Sequence, residues 1–272
     1  MQSANTLKWV ATILALMGVC ARGQELKSGV QSLTGEMPDM GPIIPGISRE
    51  FDLSKETFFI SKPPNVRTST QPGILVYLSP SDNFTEMPAG WDRVLRDRNL
   101  ILIAPQNAGN KQKPARREGL AVLAASKLKA ITAVDPRRIY VAGFSGGARM
   151  ASSVAFRRPD LFSGVFAVCG ADFPRKVTRV KAEGDEPYGY FSLEEDKLAA
   201  AKDRVKFVIV TGNKDFRYGY LLDIFTGGFE QDGYAVKLID VRGMDHTLCS
   251  AKELSEGLSF LDGDPARGPR TR

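Results

Sequence analysis

A serine between glycines occupies the stretch VAGFSGGARM at residues 141–150. Gly143 lies two residues before Ser145 and Gly147 lies two residues after it, which gives the pattern G-x-S-x-G. A hydroxyl held on a sharp turn between a strand and a helix can act as a nucleophile, and glycines here leave room for neighbouring backbone. The alternative is a loop serine without chemistry, because a short motif also matches by chance. The stretch predicts a nucleophilic serine if a strand precedes it and a helix follows.

A serine nucleophile needs a general base, and the chain contains one histidine, His246, in the stretch GMDHTL. Imidazole is the side chain best matched to proton transfer near neutral pH. A lone histidine is more often structural, but His246 follows the last predicted strand and can reach Ser145 over the sheet edge. We therefore predict that His246 is the base.

The base needs a carboxylate that fixes its tautomer and balances its charge. Asp215 ends the stretch TGNKD directly after a predicted strand and gives the chain order Ser, Asp, His. Asp172 follows the preceding predicted strand and remains the competitor, while Asp245 is adjacent to the histidine and is expected to point away. We favour Asp215 as the acid, the alternative for either carboxylate being a solvated loop residue.

A tetrahedral oxyanion needs hydrogen-bond donors fixed in advance. The backbone N–H of Gly146, at the start of the predicted helix after Ser145, supplies one donor. The second is expected from the turn SPSDN at residues 79–83, which follows the apolar stretch GILVYL. Because Pro80 has no N–H, either Ser79 or Ser81 must donate, and the sequence does not decide between them.

Apolar and helical segments alternate along the chain. β-Branched and apolar runs predict strands at residues 56–61, 73–78, 100–104, 138–142, 164–169, 205–210 and 234–241. Helical spacing predicts helices at residues 91–98, 114–133, 147–158, 193–204, 216–231 and 247–261. The alternation predicts an α/β fold with a mostly parallel twisted sheet and helices on both faces. Sites in such sheets lie beyond the carboxyl ends of the strands, where Ser145, Asp215 and His246 fall.

Three stretches resemble the α/β-hydrolase superfamily, and within it the secreted polyhydroxybutyrate depolymerases and feruloyl esterases. They are VDPRRIYVAGFSGGARM (residues 134–150), TGNKDF (211–216) and GMDH (243–246). The resemblance covers about residues 51–261. It implies the α/β-hydrolase fold, the triad Ser145, Asp215 and His246, and hydrolysis of carboxylic esters through an acyl-enzyme.

Composition sets limits on partners and cofactors. The chain has 272 residues, of which 43% are hydrophobic and 25% charged, with a formal net charge of +6. The positive residues are scattered without an aromatic-interleaved basic stripe, so we expect no nucleic-acid partner. The chain contains no His and Cys cluster with metal spacing, and we expect no metal or organic cofactor.

The N-terminal residues have the pattern of a secretory signal peptide. One lysine is followed by the apolar run WVATILALMGVC and then by small residues, which predicts cleavage after Gly23 and no stable membrane span afterwards. An uncleaved anchor is the alternative. We expect a signal peptide at residues 1–23, a loosely ordered mature N-terminus at 24–50, the catalytic domain at 51–262 and a basic tail at 263–272. The expected location is secreted or periplasmic.

Cys20 lies within the predicted signal peptide, which leaves Cys169 and Cys249 in the mature chain. An exported protein meets an oxidising compartment, so these two cysteines either form a disulfide or remain two buried thiols. Both alternatives stay open.

The sequence thus predicts a secreted serine hydrolase that cleaves small or oligomeric carboxylic esters. A serine peptidase, an acyltransferase or a non-catalytic exported binding protein are the alternatives, and the intact Ser, Asp and His argue against the last. Phe144 and Trp91 are candidates to line the substrate pocket, with burial in the core as the alternative. The oligomeric state is not predicted.

Overall fold

A single sheet of eight strands runs through the part of the chain that the structure, a computed structural model, describes: residues 26–33, 55–63, 70–177 and 190–263. The strands are β1 (Gly29–Ser32), β2 (Thr57–Ser61), β3 (Gly73–Leu78), β4 (Leu100–Pro105), β5 (Ile139–Phe144), β6 (Gly164–Val168), β7 (Lys206–Thr211) and β8 (Ala235–Asp240). Their spatial order is β1-β2-β4-β3-β5-β6-β7-β8. The pairings β1–β2 and β2–β4 are antiparallel, and all the others are parallel.

Among the described residues, six α-helices cover the two faces of the sheet. They are α1 (Trp91–Asp97), α2 (Pro114–Ile131), α3 (Gly146–Arg157), α4 (Glu195–Arg204), α5 (Tyr218–Ile224) and α6 (Ala251–Asp262), with a π-helical turn at Phe225–Glu230 extending α5. Alternate side chains of one strand enter separate cores: Val76 packs with α2 and α3, and Tyr77 packs with α1 and α6. The predicted α/β class, the mostly parallel sheet and the two helical layers are therefore confirmed.

The sheet extends further toward the N-terminus than the sequence pattern predicts. β1 lies within residues 24–50, the range expected to be loosely ordered, and Val30 pairs with Phe59 of β2. This edge strand is four residues long and alternates between half-buried and exposed positions, so it leaves little hydrophobic periodicity in the sequence. The predicted signal peptide, most of residues 24–50 and the tail after Gly263 lie outside the described residues.

The parallel strands place their following loops at one edge of the sheet. Loops after β3, β4, β5, β7 and β8 meet there, because β3 lies between β4 and β5 while β7 and β8 are neighbours. No helix among the described residues is both long enough and apolar enough to cross a bilayer. The site described below is built from these five loops.

Candidate active site

Ser145 lies on the turn between β5 and α3 and has a strained backbone, with φ 54° and ψ −119°. Few residues other than glycine adopt positive φ, and such strain is found mainly at functional sites. The Ser145 N–H donates to the carbonyl oxygen of Val168 in β6 at 2.8 Å, which fixes the turn to the neighbouring strand. The predicted strand, turn and helix around the serine are present.

The two motif glycines are required by backbone crossings. A Cβ atom on Gly147 would lie 1.9 Å from the carbonyl oxygen of Leu78, and one on Gly143 would lie 2.3 Å from the carbonyl carbon of Gly147. Both obstacles are main-chain atoms at the end of β3 or the start of α3, so no side-chain rotation can relieve them. An alanine at either position would therefore force the main chain to shift.

We expect Gly147→Ala to lower the free energy of unfolding by roughly 1–3 kcal/mol, the usual range for overpacking. The matched control is Gly219→Ala in α5, where a new Cβ meets nothing within 4 Å. Because alanine favours helix over glycine, this control should be neutral or slightly stabilising. Urea denaturation followed by circular dichroism measures both variants. Equal stability of the two would contradict the crowding at position 147.

Three loops bring Ser145, Asp215 and His246 into one hydrogen-bonded chain. His246 Nε2 lies 2.9 Å from Ser145 Oγ, and His246 Nδ1 lies 2.8 Å from Asp215 Oδ1. The serine follows β5, the aspartate follows β7 and the histidine follows β8. The imidazole therefore contacts the hydroxyl with one nitrogen and the carboxylate with the other, as a base oriented by an acid requires.

The Asp215 carboxylate is buried and fully engaged. Besides His246, it accepts hydrogen bonds from the N–H of Arg217 and from Thr211 Oγ1, each at 3.0 Å. Burial alone would raise the pKa of Asp215, but the hydrogen bonds from Arg217, His246, Cys169 and Thr211 together hold this pKa below its ordinary value. The carboxylate therefore stays ionised beside the imidazole.

The competing carboxylates have other partners. Asp172 Oδ1 accepts from Arg149 Nε at 2.6 Å, and the Asp172 N–H donates to Ser152 Oγ at 2.8 Å. Burial raises the pKa of Asp172 even though Arg149 opposes that shift. The Asp245 side chain is exposed next to His246. Of the three, only Asp215 has a hydrogen bond to the imidazole within the described residues.

Two aromatic rings flank His246. The ring of Phe144 lies 5.2 Å from the imidazole and that of Phe216 lies 4.4 Å from it, measured between centroids. Phe144 is half-buried, as a pocket residue would be, whereas Phe216 is 74% exposed. Phe216 is not among the site residues predicted from the sequence, and its position directly after Asp215 is the signal that could have identified it.

The prediction that Trp91 lines the pocket is wrong. Trp91 begins α1 and is fully buried in the core between the sheet, α1 and α6. Its Nε1 donates to the carbonyl oxygen of Cys249 at 3.2 Å, and its ring packs edge-on against Tyr77 and Phe166. The indole instead fixes the segment that follows His246.

The loop after β3 distinguishes the two candidate oxyanion donors. The Ser81 N–H donates to Ser79 Oγ at 3.0 Å and is therefore engaged. The N–H of Ser79 has no acceptor within the described residues, and Ser79 itself is buried. Gly146 is the first residue of α3, where backbone N–H groups lack helical partners. Of the donors predicted from the sequence, Gly146 and Ser79 therefore have N–H groups without an acceptor among the described residues.

The structure has two free thiols instead of a Cys169–Cys249 disulfide. Cys169 Sγ lies 3.3 Å from the carbonyl oxygen of Thr247 and also contacts the Asp215 carboxylate. Cys249 is buried in the core beneath α6. Each sulfur thus has its own surroundings, and the predicted alternative of two buried thiols describes the pair.

We expect iodoacetamide at about pH 8 to leave Cys169 and Cys249 unmodified in the folded protein, because only the thiolate reacts. Burial raises the pKa of Cys249 to about 12 and also raises that of Cys169. Both thiols should become reactive in denaturant, and peptide mapping by mass spectrometry measures this. A disulfide-linked peptide from the non-reduced protein would contradict the free thiols.

One side-chain set in the site could hold a metal ion. Cys169, Asp215 and His246 offer ligand atoms that all lie within 4.8 Å of one another. A metal on these atoms would replace the hydrogen bond between Asp215 and His246 and would require the buried Cys169 thiol to lose its proton. The present hydrogen bonding therefore fits an acid–base pair better than a metal centre.

The fold is shared with solved hydrolases. Est1E from Butyrivibrio proteoclasticus is 14% identical with a TM-score of 0.55, and the match covers 87% of this chain and 100% of Est1E. Another structure of Est1E contains ferulic acid. LpqC, a poly(3-hydroxybutyrate) depolymerase from Bordetella parapertussis, is 17% identical with a TM-score of 0.55, and the match covers 76% of this chain and 84% of LpqC.

A peptidase has a similar domain. Dipeptidyl peptidase 4 from Porphyromonas gingivalis is 16% identical with a TM-score of 0.54, and the match covers 77% of this chain but 34% of the peptidase. The chain therefore spans about a third of that protein's length. No protein-family model matches the sequence, and no curated protein does either.

Proposed function

We propose that this chain, which has the α/β-hydrolase fold, is a serine hydrolase that cleaves carboxylic esters through an acyl-enzyme. The observation that carries the proposal is the hydrogen-bonded chain from Ser145 Oγ through both nitrogens of His246 to Asp215, at 2.9 and 2.8 Å. A non-catalytic binding protein has no use for this arrangement on a strained serine turn.

Acylation uses the groups around Ser145. His246 Nε2 takes the hydroxyl proton as Ser145 Oγ attacks the ester carbonyl carbon. The carbonyl electron pair moves onto oxygen, and the N–H groups of Gly146 and Ser79 donate to the resulting oxyanion. The tetrahedral intermediate then collapses, and His246 gives its proton to the leaving alcohol.

Deacylation repeats these steps with water. His246 takes a proton from the attacking water, and collapse of the second intermediate releases the carboxylic acid and returns the proton to Ser145. Asp215 remains ionised throughout and balances the imidazolium, consistent with its lowered pKa. Its four hydrogen-bond donors keep the carboxylate, and through it the imidazole, in one orientation.

The coverage of the structural neighbours supports ester hydrolysis more strongly than peptide hydrolysis as the proposed reaction. The esterase and the depolymerase match over 100% and 84% of their lengths, while the peptidase matches over 34%. A peptidase of that kind therefore has large parts with no counterpart in the match. Peptide cleavage remains the second candidate because the same triad can perform it.

We also propose that the protein acts outside the cytoplasm. The support is the charge and hydropathy pattern of residues 1–23, with a lysine before a dozen apolar residues and small residues after them. Mass spectrometry of the N-terminus of exported protein tests this, and a mature chain beginning at Gln24 is the expected result. A cytoplasmic protein with an intact N-terminus would refute it.

A fluorophosphonate probe and a substrate panel test the enzyme function. We expect the probe to modify Ser145, and p-nitrophenyl acetate and butyrate to be hydrolysed while a dipeptidyl p-nitroanilide is not. Hydrolysis of the anilide in preference to the esters would favour the peptidase. A folded protein that neither reacts with the probe nor hydrolyses any member of the panel would overturn the proposal.

A further inference from the structure

The glycine that follows Ser145 has a close polar neighbour. A Cβ atom on Gly146 would lie 2.1 Å from Oδ1 and 3.0 Å from Nδ2 of Asn110, so the Asn110 amide occupies the space that a side chain would take. The G-x-S-x-G pattern leaves this residue free, and the strained turn does not account for glycine here. A side chain at position 146 would have to displace the Asn110 amide.

The direction of this contact places the amide beside the oxyanion. Each Cα–Cβ bond of an α-helix tilts toward the helix N-terminus, and the free N–H groups of the first turn point the same way. Gly146 is the first residue of α3, and its N–H is one of the two proposed oxyanion donors. Asn110, lying along the Cβ direction of Gly146, therefore borders the space that the oxyanion would occupy.

The loop that carries Asn110 is bound to the loop that carries the other donor. The Asn110 N–H donates to the carbonyl oxygen of Pro80 at 2.8 Å. The Gly109 N–H donates to Asp82 Oδ1 at 2.9 Å, and the Asn107 N–H donates to the Asp82 carbonyl oxygen at 2.7 Å. The backbone under Asn110 is thus fixed to the residues that directly follow Ser79.

A buried arginine connects the same two loops from below. Arg117 Nε donates to the carbonyl oxygen of Ala108 at 2.7 Å, and Arg117 Nη2 donates to that of Ser79 at 3.4 Å. Burial and the nearby Arg149 lower the pKa of Arg117 to about 10. Because this pKa is still well above neutral, the guanidinium is charged at neutral pH. Donors held in place before the reaction cost no reorganisation when charge develops.

We propose that the side-chain amide of Asn110 is a third hydrogen-bond donor to the oxyanion formed at Ser145, an inference that rests on the proposed function. Asn110 is exposed, and no hydrogen bond engages its side chain within the described residues. A carboxamide carries two N–H donors, and a rotation about its last bond exchanges oxygen and nitrogen. As Ser145 Oγ bonds to the carbonyl carbon, the carbonyl oxygen accepts from Gly146, Ser79 and Asn110, and these bonds weaken when the intermediate collapses.

Asn110→Ala tests the inference directly. Loss of one oxyanion donor should lower kcat for p-nitrophenyl butyrate by about 10²-fold, and KM should change little. The affinity for an alkyl trifluoromethyl ketone, which forms a tetrahedral adduct with Ser145, should fall by a similar factor. The control is Lys111→Ala, at the adjacent exposed position, which should keep the native kcat and the native affinity for the ketone.

A double-mutant cycle separates donation from loop structure. Gly146→Ala keeps the N–H at position 146 but drives its new methyl group into the Asn110 amide, so it should cost about as much activity as Asn110→Ala. In the Asn110→Ala background the same glycine substitution should cost little, because the amide is gone. Asn110→Asp keeps the side-chain volume and removes the donors, so it should also be impaired.

The outcomes are distinct. If Asn110→Ala and Asn110→Asp keep the native kcat and ketone affinity while the native protein is active, the donor role is wrong and the proposed function stands. A rise in KM alone, or additive costs in the cycle, would also overturn the donor role. If the native protein neither reacts with the fluorophosphonate nor hydrolyses esters, the proposed function fails and the donor role fails with it.

Discussion

Replacing Ser145 with alanine should lower kcat/KM for p-nitrophenyl butyrate by about 10⁴-fold or more. The variant lacks the oxygen that forms the acyl-enzyme, although the oxyanion donors and the substrate contacts remain and leave a small residual rate. The strained turn should persist, because alanine is smaller than serine and the glycines on either side still clear the backbone. Steady-state kinetics measures the loss, and circular dichroism verifies the fold.

The control for this variant is Ser255→Ala in α6, away from the triad, where the side chain makes no hydrogen bond within the described residues. It should retain the native rate within a factor of about two, as expected for a substitution outside the reacting groups. If Ser145→Ala kept most of its turnover, another group would be the nucleophile. Fluorophosphonate labelling followed by peptide mapping would then locate it.

Asp215→Asn should lower kcat by about 10⁴-fold, the loss seen when an amide replaces the acid of such a triad. The amide can present a donor to His246 Nδ1 and stabilise the wrong tautomer, which leaves Nε2 protonated and unable to accept from Ser145. Asp172→Asn should lower kcat far less, because Asp172 pairs with Arg149 and not with the imidazole.

Both asparagine variants keep the side-chain volume, so their melting temperatures show whether a loss of rate comes from chemistry or from folding. The comparison decides between the two carboxylates that the sequence left in competition. A larger loss of kcat for Asp172→Asn than for Asp215→Asn, in proteins of native stability, would assign the acid to Asp172 instead.

The sequence predicts the sheet well because most of its strands are short apolar runs between clear breaks. The stretch GILVYL is found as β3 at residues 73–78, and the loops after the predicted strands meet at one edge, as the rule for parallel sheets requires. The proximity of Ser145, Asp215 and His246 follows from the same rule. Local periodicity and strand order thus account for most of the site.

The remaining site residues depend on contacts that no local pattern contains. Asn110 reaches Gly146 because β3 lies between β4 and β5, which brings loops from separate parts of the chain together. Trp91 begins a helix, and helical spacing does not say that its ring faces the sheet. The arrangement of the two thiols likewise depends on the orientation of Cys169 after β6, where its φ is 53°.

The distribution of the triad along the chain has a consequence for biosynthesis. Ser145 and His246 are 101 residues apart, and the base follows β8, which among the described residues is the last strand in chain order and an edge strand of the sheet. A nascent chain that has completed β5 has its nucleophile but no base. Under the proposed mechanism, turnover begins only after β8 has paired with β7 and His246 has reached Ser145, so hydrolytic activity reports completion of the sheet formed by the described residues.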